Sequence, residues 1–115
     1  MSNISFTTYN DENQNTAEFL IEGEATIRNE LDLYNLLIIK IEEHNNFVIK
    51  LIDIKNIDLS FIQLLLSFEK TIKNSGKKVS FKIELADASN IILKNAGIDI
   101  TKLFKTVELK ITNLS

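Results

Sequence analysis

The sequence contains no cysteine, which excludes disulfides, thiolate catalysis and every zinc site built on cysteine. Its three glycines, Gly23, Gly76 and Gly97, stand far apart, so there is no glycine-rich loop to cradle a nucleotide phosphate. No apolar run approaches the length that spans a bilayer. The longest, Leu59 to Phe68, is broken by Ser60, Gln63 and Ser67. The opening Met1-Ser2-Asn3-Ile4-Ser5 has neither the basic nor the apolar region of a signal peptide, and a cytoplasmic location is expected. Excess positive charge is missing too. The formal net charge is −3 and the lysines are spread along the chain, so nothing matches the clustered basic footprint that neutralises nucleic-acid phosphates.

What is present is an ordinary globular mixture, 44% hydrophobic and 25% charged over 115 residues. That suits a single domain spanning 1–115, long enough for one core. Ile4, Phe6 and Thr8 alternate with Ser5, Thr7 and Tyr9, the period of a strand. The polar cluster Asn10 to Asn15 reads as a loop. Ala17, Phe19 and Ile21 alternate again, so a second strand folds back as a hairpin and ends at Gly23. Asn29, with Asp32 three residues on, reads as a helix cap, and Leu33, Leu36, Leu37 and Ile41 follow at helical spacing. Phe47 to Ile54 is apolar at nearly every position, as in a central strand buried on both faces, where Lys50 must escape or be paired.

Lys55 to Leu59 reads as a loop, and Ser60 with Gln63 as a capping box opening the next helix. Phe61, Leu64, Leu65, Phe68 and Ile72 give that helix one apolar face, and Gly76 suits its left-handed end. Val79, Phe81, Ile83 and Leu85 alternate in a half-exposed strand. Asp87 is expected to cap a short helix carrying Ile91, Ile92 and Leu93, with Gly97 stopping it. Residues 98–104 hold a further turn, and Val107, Leu109 and Ile111 mark a last strand. The order ββαβαβαβ implies an α/β fold, a mixed and largely parallel five-stranded sheet with helices mostly on one face.

In open α/β sheets, sites gather at the carboxyl ends of the strands. That rim holds the stretch from Ile54 to Ser60, with Gly23, Glu24 and Thr26 on one side and Asp87 and Ser89 on the other. Ser60 at a helix start has two readings: a structural cap, or a hydroxyl poised where a helix N-terminus favours an added anion. A phosphate there would bring a charge of about −1.5 to −2, beside Glu24, Asp58 and Asp87, and could repel a partner as an off-signal. Phe61 either packs inward with Leu64 and Leu65 or stands out as an interface anchor.

The run Ile52-Asp53-Ile54-Lys55-Asn56-Ile57-Asp58-Leu59-Ser60-Phe61-Ile62-Gln63-Leu64-Leu65-Leu66 resembles the signature of STAS domains, the sulfate-transporter and anti-sigma-factor-antagonist family. There a strand leads to an Asp, then Ser or Thr, Ser, Gly and a leucine-rich helix. Gly23-Glu24-Ala25-Thr26-Ile27-Arg28 is similar to the family's segment before its first helix. Gly76-Lys77-Lys78-Val79 is similar to its entry to the next strand, and Ala96-Gly97-Ile98 to its late helix stop. The resemblance covers residues 19–104. It implies a STAS-like sheet and a cytosolic protein-binding switch, with no cofactor and no metal. Its partner would be an anti-sigma factor that is also a serine kinase, phosphorylating the residue matched by Ser60. Glu24, Thr26, Asp58, Leu59, Ser60, Phe61, Asp87 and Ser89 would form the partner-binding rim. Leu59 departs from the small Ser or Thr of the pattern, and Phe61 from its Gly. The Asp-Leu-Ser form is also similar to STAS domains of chemotaxis-type signalling and of ABC transport systems, whose partner is an ATPase and whose serine need not be phosphorylated.

An enzyme is the contrasting class. Asp53 and Asp58 could pair for acid–base work, but no nucleophile stands with a base near them. His44, among Glu42, Glu43 and Asn45, reads as a solvated helix-end residue. Lys70, Lys73, Lys77 and Lys78 read as a solvated, dipole-favourable helix end.

Overall fold

The computed structural model describes residues 4–11, 14–26, 33–35, 37–38 and 41–112. Its strands are β1 (Ile4–Asp11), β2 (Gln14–Ala25), β3 (Asn46–Ile57), β4 (Lys78–Ala86) and β5 (Val107–Thr112). The helices are α1 (Leu59–Asn74), α2 (Asp87–Asn95) and the single turn α3 (Ile100–Leu103). Residues 33–35 and 37–38 are also helical; the cap expected at Asn29 and Asp32, and Leu36, lie outside the described residues.

The strands lie side by side in chain order. β2, β3, β4 and β5 run parallel, and β1 joins β2 antiparallel. Three successive parallel connections, each moving one place in the same direction, put their helices on one face when each is right-handed. One core results. Phe19 and Ile21 from β2, Phe47, Ile49 and Leu51 from β3, and Phe81 and Ile83 from β4 meet Phe61, Leu65, Phe68 and Ile72 of α1. Leu33, Leu37, Leu93, Ile100 and Phe104 close it. Phe47 meets Phe68 edge-on at 5.5 Å, and Phe81 stacks obliquely on Phe104 at 4.6 Å.

The α/β class expected from alternating strands and helices is what the chain adopts. Several local expectations are corrected. The polar cluster before residue 16 is not a free loop: Asn10 pairs with Asn15 and Asp11 with Gln14, because strand pairing supplies their backbone bonds whatever the side chains are. Gly23 does not end β2. At φ 82° it forms a bulge between Glu22 and Glu24, and the strand continues to Ala25.

β3 is not buried on both faces. Phe47, Ile49, Leu51 and Ile54 are covered, while Val48, Lys50 and Ile52 are half-exposed on the face without helices. Lys50 is paired there, its Nζ 2.8 Å from Glu18 Oε1. β3 also runs through residues 55–57, where a loop is expected. Asp53 sits at φ 52° in a bulge that shifts the register between Leu51 and Ile54. Asp tolerates that left-handed conformation better than most residues, and the strand resumes with Ile57 opposite Ala25.

Helix ends follow local rules more closely. In α1, Gly76 N donates to Lys73 O and Lys77 N to Ile72 O, the paired bonds of a Schellman end, with Gly76 at φ 76°. Gly97 repeats the pattern after α2, with Ile98 N on Leu93 O. His44 is not solvated. It is 6% exposed, with its ring edge-on to Phe47 at 6.2 Å, because the chain must bring Phe47 into the core directly after it. Ile91 and Ile92 are exposed and Leu93 alone of the three is buried, since three consecutive helical residues cannot share one face.

Candidate functional site at the strand-end rim

The carboxyl ends of β2 and β3 are joined by Asp58 N donating to Ala25 O at 2.9 Å. That bond ends the sheet and turns the chain into α1. Asp58, in an extended conformation, is the N-cap residue, and its carbonyl accepts from Phe61 N at 3.1 Å and Ile62 N at 3.2 Å. Ser60 is therefore the second residue of the helix and not its cap, and the expected Ser60–Gln63 capping box is not formed. The cap fell two residues earlier because β3 pairs as far as Ile57 and leaves only Asp58 for the turn.

The helical period then separates three neighbours. Leu59 is 52% exposed, Ser60 is half-exposed, and Phe61 is fully buried. Of the two readings of Phe61, the inward one holds: its ring packs in the core with Leu65. It is not a surface contact. The first turn of α1 contains no acidic residue, so the positive end of a sixteen-residue helix opens beside the Ser60 hydroxyl.

The remaining rim residues divide in the same way. Glu24 is exposed and lies in register with Asn56, one pair before Ala25 and Ile57. Thr26 is half-exposed, but its Oγ1 is enclosed and has no hydrogen-bond partner among the described residues. Asp87 is exposed, and it is the first residue of α2, with Ala86 in the capping position. Ser89 is 8% exposed and its hydroxyl donates to the carbonyl of Lys55. That bond straps α2 to the end of β3, so Ser89 holds the rim together instead of facing outward. The rim thus brings Glu24, Thr26, Asp58, Leu59, Ser60 and Asp87 together, and withdraws Phe61 and Ser89.

Sequence reasoning missed two features. Ile92, 68% exposed, adds apolar surface on the helix that starts at this rim; its signal was the uninterrupted Ile91-Ile92-Leu93 run. Glu69 is 5% exposed and its Oε2 accepts from Lys105 N at 3.0 Å, tying α1 to the segment before β5. Nothing local announces that contact. Among the described residues no cluster of His, Asp and Glu could hold a metal ion, and no helix is long and apolar enough to cross a membrane. No protein-family model matches the chain, and no curated protein does.

Proposed function

We propose that this chain is a STAS-like protein-binding switch in the cytosol, an antagonist of an anti-sigma factor that docks through the rim around the start of α1. The STAS-like form of the five-stranded ββαβαβαβ sheet belongs to the same proposal. The observation that carries it is the division at residues 59–61. Leu59 and Ser60 are presented to solvent, while Phe61, which stands where the signature has Gly, turns its ring fully into the core. The bulky replacement therefore does not crowd the serine.

Phosphate on Ser60 would add about −1.5 to −2 charges. The helix start would hold it, and Glu24, Asp58 and Asp87 would share its sign. A partner surface that carries negative charge at the contact would then be repelled. In this reading the module is a binder; His44, the one imidazole in the sequence, is enclosed beside Phe47.

The test is incubation with the cognate anti-sigma-factor kinase and ATP, with phosphate mapped by mass spectrometry. Incorporation at Ser60, lost in Ser60→Ala, and weaker partner binding by Ser60→Asp are the expected results. Phosphate on another residue, or unchanged binding by Ser60→Asp, refutes the switch. The exposure of Leu59 favours one second reading, an accessory subunit of an ABC transporter or a chemotaxis-type partner. There an apolar anchor replaces the small residue and no phosphate is required. In that case the protein captured from native lysate is a transport ATPase or a signalling protein, and Leu59→Ala weakens its capture while Ser60→Ala does not.

A further inference from the structure

β5 closes one side of the sheet, and among the described residues no strand pairs with its outer edge. Phe81 N donates to Thr106 O at 3.0 Å, so Thr106 turns its backbone groups toward β4. By the two-residue period, Glu108 and Lys110 do the same, and Val107, Leu109 and Ile111 point their N–H and C=O groups out of the sheet. Such an edge is a template for another strand. Its side chains limit which strand fits. Glu108 and Lys110 are exposed on the uncovered face, opposite in sign and two residues apart. Ile111, on the other face, is 38% exposed.

We propose that β5 pairs antiparallel with β5 of a second copy of this chain, about a two-fold axis at Leu109. In that register Leu109 meets its own counterpart and Val107 meets Ile111, each pair exchanging backbone hydrogen bonds between outward-pointing groups. Glu108 meets Lys110 on both sides of the axis, at the positions where cross-strand side chains approach closest. Thr106 of the second copy comes opposite Thr112, whose hydroxyl is enclosed and has no hydrogen-bond partner among the described residues.

The charges select this register over its neighbours. Moving the axis to Glu108 sets glutamate against glutamate, and moving it to Lys110 sets lysine against lysine. Shifting the pairing by an odd number of residues turns outward groups against inward ones. A charged edge usually discourages pairing. Here the alternation discourages each neighbouring alignment and favours one. The inference is independent of the rim at α1, on the far side of β4.

The test is sedimentation equilibrium of the whole chain up to about 1 mM, because a contact between two short strands is small. A concentration-dependent dimer is expected. Glu108→Lys and Lys110→Glu each turn two opposite-charge pairs across the axis into like-charge pairs and should weaken it about tenfold. The double exchange, made together with Lys82→Glu and Glu84→Lys so that β4 keeps the opposite sign beside each position, should restore it. Ile111→Pro removes an outward N–H that the β4 ladder does not use, and should leave a folded monomer by circular dichroism. A single-charge variant that unfolds is seen by the same spectrum, and the double exchange then decides. The proposal is overturned by a chain that stays monomeric throughout, by a dimer indifferent to every variant, or by a double exchange as weak as the single ones. Capture of an unrelated strand along β5 by a monomeric chain also overturns it.

Discussion

Two residues in the first turn of α1, Leu59 and Phe61, should respond very differently to truncation. Phe61 is fully buried against the sheet, so Phe61→Ala removes a ring the surroundings cannot replace. The expected loss is about 3–5 kcal/mol, partly offset by about 0.5 kcal/mol of better helix propensity. A domain of this size has a total stability of about 5–15 kcal/mol, so the variant stays folded but weakened. With a urea dependence of about 2 kcal/mol per molar, the net loss should lower the unfolding midpoint by about 1.2–2.3 M. Leu59, at 52% exposure, should change stability by less than about 0.5 kcal/mol when truncated to Ala. Urea unfolding followed by far-ultraviolet circular dichroism reads both. A loss below about 1 kcal/mol for Phe61→Ala would place that ring on the surface and refute the account of an uncrowded serine. Partner binding provides the converse readout, since Leu59→Ala should weaken it without touching the fold.

Three further outcomes follow from the geometry. Gly97→Ala should cost about 1 kcal/mol by urea unfolding, because the residue sits at φ 82° while an added Cβ would meet no atom within 4 Å. Glu69→Ala should cost about 1–3 kcal/mol and speed hydrogen exchange at the Lys105 amide that it accepts from; Glu69→Gln, which keeps a carbonyl acceptor, should protect that amide better. The Asp99 carboxyl, held below its ordinary value chiefly by the Thr101 hydroxyl and also by the Thr101 amide and nearby lysines, should titrate by NMR below the usual carboxylate range and move back up in Thr101→Val. Because its folded value is the lower one, its small contribution is complete above the ordinary carboxylate pKa and disappears as the pH falls through the lowered one.

The period-two runs at Ala17–Ile21, Val79–Leu85 and Val107–Ile111, and the leucine-rich face of α1, were legible because alternation and helical spacing are properties of neighbouring residues. So were the helix ends at Gly76 and Gly97, where a left-handed backbone position needs a residue without a Cβ. The strand-end rim was legible as a place in the fold, but which of its side chains face outward was not. A Ser followed by Gln three residues on looks like a capping box, yet pairing of Ile57 with Ala25 moved the cap to Asp58. Strand pairing is decided by residues thirty positions away, and it overrode the local preference.

The chain's own pattern determined an α/β order, the helix ends at Gly76 and Gly97 and a serine near the start of the second major helix. Tertiary structure alone decided which side chains face water there. It turned Phe61 inward, used Ser89 to strap Lys55, enclosed His44 beside Phe47 and gave Glu69 the amide of Lys105. The physical reason is that burial and long-range hydrogen bonding depend on what lies across the sheet or beneath the helix, and a local window of sequence contains neither.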